Sequence, residues 1–82
     1  MPKNIIMAAI HLSQLFEYVQ TKKEFSITWI SESGEKIFVS KARVTSFHSS
    51  GSTLNIECVE SGQIRKVNRN TIIEIDGMEV YI

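Results

Sequence analysis

Asp76-Gly77 separates two short runs rich in β-branched and aromatic residues, Thr71-Ile-Ile-Glu-Ile75 and Met78-Glu-Val-Tyr-Ile82. Nothing else in the chain constrains the fold as tightly. Both central residues of a type I′ turn need positive φ, and Asp-Gly supplies this at low cost, so the pair predicts an antiparallel hairpin of fixed register. Alternation then sets Ile73 and Ile75 on one face, and Ile72, Glu74 and Asp76 on the other. Beyond the turn, Met78, Val80 and Ile82 alternate with Glu79 and Tyr81. Upstream, the stretch from Gln63 to Val67 reads as another strand, and Asn68-Arg69-Asn70 as one tight or helical turn between strands.

The same pattern extends back through the chain. Phe25, Ile27 and Trp29 alternate with Ser26, Thr28 and Ile30, predicting a half-buried strand that Ser31-Glu-Ser-Gly34 turns. The run from Lys36 to His48 is too long for one straight strand: Ile37 and Val39 have one parity, Ala42 and Val44 the other. A bulge near Ser40 to Ala42 is expected. Ser49-Ser-Gly-Ser52 turns into Leu54, Ile56 and Cys58, and Glu60-Ser-Gly62 leads to the closing stretch. Before all of this, Ile5, Ala8, Ala9, Leu12, Leu15, Phe16 and Val19 recur at helical spacing, with Asn4 as N-cap and Lys22 and Lys23 at the C-terminal end. The expectation is one domain over residues 1–82. It is mainly β with one N-terminal α-helix (about 4–20), followed by strands (about 25–82) that form a small five- to six-stranded bent barrel.

An N-terminal helix, short bent strands and a one-turn interruption before the last pair resemble the Sm-like fold, and more loosely the Src-homology-3-like and Tudor-like barrels. That resemblance is architectural and covers nearly the whole chain. Sm-like proteins carry an Asp and an Asn in the loop after their second strand and an Arg-Gly pair before their last. Here those places are similar to Phe47-His-Ser-Ser-Gly-Ser52 and Val67-Asn-Arg-Asn70. Arg69 stands for the basic member, and no glycine follows it, so the resemblance implies no uridine-specific site. Small barrels of this kind also resemble adaptor and head-completion proteins of tailed phages, which implies an assembly role.

At 82 residues the core is small relative to its surface, so help from a second copy is expected. Ile6, Met7 and Ile10 lie off the main helical stripe and are the expected oligomer interface. The lone Cys58 cannot form an internal disulfide, no apolar run reaches membrane-spanning length, and no signal peptide is evident. These features point to a cytoplasmic protein without a membrane role. His11, His48 and Cys58 are too scattered for zinc ligands, and Cys58 follows the apolar parity of Leu54 and Ile56 rather than that of a nucleophile. Glu74, Asp76 and Glu79 flank a turn, where carboxylates are simply solvated. No enzyme, metal or cofactor is expected.

Charge distribution carries the functional content. Nine basic and nine acidic residues cancel, yet Lys36, Lys41 and Arg43 form a run without acids, as do Arg65, Lys66 and Arg69, whereas Glu74, Asp76 and Glu79 follow without bases. If the strands bring the bases together on a barrel edge, Lys41, Arg43, Arg65, Lys66 and Arg69 would contact the phosphates of RNA or DNA, with Trp29, Phe47 or Tyr81 available for stacking. The same segregation serves protein assembly, with a basic edge of one copy meeting the acidic hairpin of the next.

Overall fold

The computed structural model describes residues 9–48 and 51–82. In chain order it comprises β1 (Ala9–His11), α1 (Leu12–Thr21), β2 (Phe25–Ile30), β3 (Lys36–Phe47), β4 (Thr53–Cys58), β5 (Gln63–Asn68), a 3-10 turn (Arg69–Thr71), β6 (Ile72–Ile75) and β7 (Met78–Tyr81). All seven strands form one sheet in the order β1-β7-β6-β2-β3-β4-β5. The sheet is not closed by hydrogen bonds: β1 and β5 are its edges.

The Asp-Gly hairpin forms as its chemistry dictates. Ile75 pairs with Met78, and Asp76 and Gly77 take φ of 49° and 80°, the mirror-image turn that matches strand twist. The expected bulge in β3 is also present: Ile27 pairs with Val39 and Phe25 with Ala42, so two steps along β2 span three along β3. Ala42 is thereby returned to the core with no exposure. At the predicted one-turn interruption, Asn68 Oδ1 accepts from the Asn70 N–H at 2.9 Å and the Thr71 hydroxyl donates to the Asn68 carbonyl at 2.7 Å, capping the 3-10 turn.

Three expectations need correction. The helix begins at Leu12, and residues 9–11 form a strand, which raises the strand count to seven; Asn4 and the rest of 1–8 lie outside the described residues. Pairing overrides the helical periodicity here. β1 runs parallel to β7, Ile10 opposite Val80, and so satisfies an edge the hairpin would otherwise leave open. His11, not Asn4, caps α1: its Nδ1 accepts from the Ser13 N–H at 3.1 Å while Gln14 reaches back to the His11 N–H at 3.4 Å. The second correction concerns β6, where Thr28 pairs with Glu74 but Trp29 with Ile72. The extra residue, Ile73, is pushed out to 37% exposure while Ile72 and Ile75 are both buried. The third is Asp76, which is not simply solvated. Its carboxylate accepts from the Tyr18 hydroxyl at 2.6 Å and the Ser26 N–H at 2.8 Å, with Lys22 Nζ at 3.6 Å.

Phe25, Ile27 and Trp29 centre the core, joined by Ala42, Leu54, Ile56, Val67, Ile72 and Ile75 from the surrounding strands and by Leu15 and Val19 from α1. Ten residues are too few for a helix to be stable alone in water. Burial of Leu15 and Val19, about 1.5–3 kcal/mol each, and the ties to Asp76 hold α1 against the sheet.

Candidate nucleic-acid interface

Cross-strand pairing decides which face each basic residue occupies. Across β4 and β5, Leu54 pairs with Val67, Ile56 with Arg65, and Asn55 with Lys66. Directly opposed residues share a face, so Arg65 lies on the core side with Ile56, and Lys66 on the outer side with Asn55. Because β5 is an edge strand, both side chains border the same open cleft of 740 Å³. Its far wall is the end of β2 and the turn after it, including Trp29, Ser31, Glu32 and Ser33, and Thr53, Asn68 and Thr71 line it near β5.

Arg65 crosses this gap. Its guanidinium carbon lies 5.7 Å from the centroid of the Trp29 ring, within cation–π range, and Trp29 is only 3% exposed. The indole is therefore covered, and the expectation that Trp29 offers a free stacking surface is corrected: the half-buried Arg65 stands on the aromatic instead. Phe47 is half-buried against Phe16, with centroids 4.9 Å apart, and Tyr81 packs edge-on to His11 at 5.1 Å.

The other expected phosphate contacts are dispersed. Arg43 is bound to Glu57, directly opposite on β4, with its Nε donating at 2.6 Å and Nη2 also at 2.6 Å. Arg69 lies over the Phe16 ring, 5.5 Å from its centroid, and its Nε is buried without a hydrogen-bond partner, which ties the 3-10 turn to α1. Lys41 is exposed on the bulged segment of β3, with β4 between it and β5. A second groove of 640 Å³, between the end of α1 and β3, contains Lys22, Lys23 and Arg43, but Lys22 is held by Asp76 and Arg43 by Glu57. Of the five expected cations, the structure brings Arg65 and Lys66 into one cleft and sends the other three elsewhere.

The expected oligomer residues divide likewise. Ile6 and Met7 lie outside the described residues, and Ile10 is 7% exposed within the chain's own core. His48 and Cys58 stand at opposite ends of β4, about 17 Å apart at roughly 3.3 Å per residue, which is out of reach for a thiol–imidazole pair. Among the described residues no three of His, Cys, Asp and Glu gather to hold a metal ion, and no helix is long and apolar enough to cross a membrane. The sequence reading missed Asp76 as a structural hub.

No protein-family model, curated protein or solved structure matches this chain.

Proposed function

We propose that this chain is a non-enzymatic interaction module that binds single-stranded RNA or DNA along the basic edge of a small curled barrel. The observation that carries the reading is the cleft beside β5, where Arg65 and Lys66 stand together with Thr53 and Asn68 as hydroxyl and amide donors and outnumber the one carboxylate of the lining, Glu32. A phosphate backbone is the ligand that such a row of donors and cations suits, and a single strand fits an open groove better than a duplex. Arg65, resting on Trp29, is held in place at low entropic cost and presents its outer face to a base. Lys66 supplies a mobile point charge. The barrel itself belongs to this proposal: the contact between Arg65 on β5 and Trp29 on β2 bridges the gap in the sheet by side chains, and the 3-10 turn before β6 supports the Sm-like comparison.

Binding of a labelled mixed-sequence oligonucleotide, followed by fluorescence anisotropy at several salt concentrations, tests the reading. Two phosphate contacts on a single strand predict a log–log salt slope of about −1.4, and Lys66→Ala should reduce it by about 0.7. Arg43→Ala should change affinity much less, since Glu57 already occupies that side chain. Affinity independent of salt, or no binding, would overturn the proposal.

A further inference from the structure

The cleft beside β5 continues round that edge onto the outer face of β3, β4 and β5. Ser46 pairs with Asn55 and Asn55 with Lys66, so these three side chains form one row across the three strands. In the next row toward the β3–β4 turn, the His48 N–H donates to the Thr53 carbonyl at 2.9 Å and Thr53 pairs with Asn68. A hollow of 340 Å³ lies here, lined by Ser46, His48, Thr53, Asn55 and Lys66 among others, and Thr53 and Lys66 border both this hollow and the larger cleft. No carboxylate is among the described residues that line it. On its other side the patch ends: Arg43 is neutralised by Glu57, and Ile64, opposite Glu57 on β5, is 54% exposed.

We propose that this hollow is a second subsite for the same single strand, holding the nucleotide next to the one in the cleft, with Lys66 on the phosphate between them. The proposal rests on nucleic-acid binding at the cleft. Lys66 is the charged side chain common to both cavities, and a cation at such a junction suits the phosphate that joins two nucleosides. Asn55 donates from Nδ2 to Ser46 Oγ at 2.9 Å, which fixes the plane of its amide and leaves the carbonyl oxygen to accept from the N–H of a base edge. The hydroxyls of Ser46 and Thr53 add neutral donors to sugar and phosphate. From β5 to β3 the patch spans two strand spacings, about 10 Å, room for one base and its sugar. A protein partner suits the hollow less well, because the two rows of outward side chains are polar throughout and lack the apolar centre of a protein interface.

Salt-dependent binding of a labelled single-stranded hexanucleotide to variants of the full chain tests this. Asn55→Ala should weaken binding about fivefold, the worth of one hydrogen bond, and leave the log–log salt slope unchanged, because no charge is lost. Ser46→Lys places a new cation on the exposed floor of the hollow; it should tighten binding and steepen the slope by about 0.7. Gln63→Lys, at the far end of β5, is the control and should do neither. Binding that responds to Lys66→Ala but not to Asn55→Ala or Ser46→Lys would confine the strand to the cleft, overturning the second subsite while the nucleic-acid reading stands. Equal effects of Ser46→Lys and Gln63→Lys would show a diffuse field rather than a contact and also overturn it. A wild-type chain that binds no hexanucleotide would remove the cleft and the subsite together.

Discussion

At the scale of single residues, Asp76 does more than any other side chain to join the parts. Its positive φ serves the hairpin, and its carboxylate serves α1 through Tyr18 and Lys22 and β2 through the Ser26 N–H. Burial, then the hydrogen bond to Asp76, then the negative charge of Asp76 push the Tyr18 phenol from its ordinary 10.0 up to about 12. A raised pKa means the unfolded chain releases this proton first. The stabilisation is therefore complete below pH 10 and is lost as pH rises from there toward 12. Denaturant unfolding measured across that window should show stability falling with pH, and Tyr18→Phe should remove this component of the slope. An unchanged slope in the variant would mean that Tyr18 does not carry it. Asp76 was unreadable as a hub from sequence because its three partners lie fifty or more positions away.

Among the elements, those whose signals are local were legible and those settled by distant partners were not. The Asp-Gly turn, the parity switch in β3 and the Asn-rich 3-10 turn each depend on a few adjacent residues, and each formed where read. Gly77 shows how local the first signal is: apart from its chain neighbours, no atom lies within 4 Å of the position a Cβ would take, so only φ of 80° demands glycine. Gly77→Ala should therefore cost about 1–2 kcal/mol, the conformational penalty alone, measurable by denaturant titration. A much larger loss would imply a steric contact. By contrast, Ala9 continues the helical period of Leu12 and Leu15, yet Ala9 to His11 form a strand because β7 offers an edge for parallel pairing. Ile73 alternates correctly in sequence and is ejected by a bulge set by its partner strand. The basic residues followed the same rule. Their clustering along the chain was visible, but the edge position of β5 and the ion pair with Glu57 decide that Arg65 and Lys66 share a cleft while Arg43 does not.

Over the whole molecule, a neutral chain gathers its proposed binding groups at one edge of the sheet. In that reading the β5 edge offers cations and hydroxyls to a polyanion. The most direct test of the nucleic-acid reading is an amide chemical-shift titration of the isotope-labelled chain with an unlabelled single-stranded oligonucleotide. Shifts concentrated at Ser31 to Ser33, Thr53 and Arg65 to Asn68 are the predicted result. Shifts confined to residues outside this cleft, or none at saturating oligonucleotide, would contradict it.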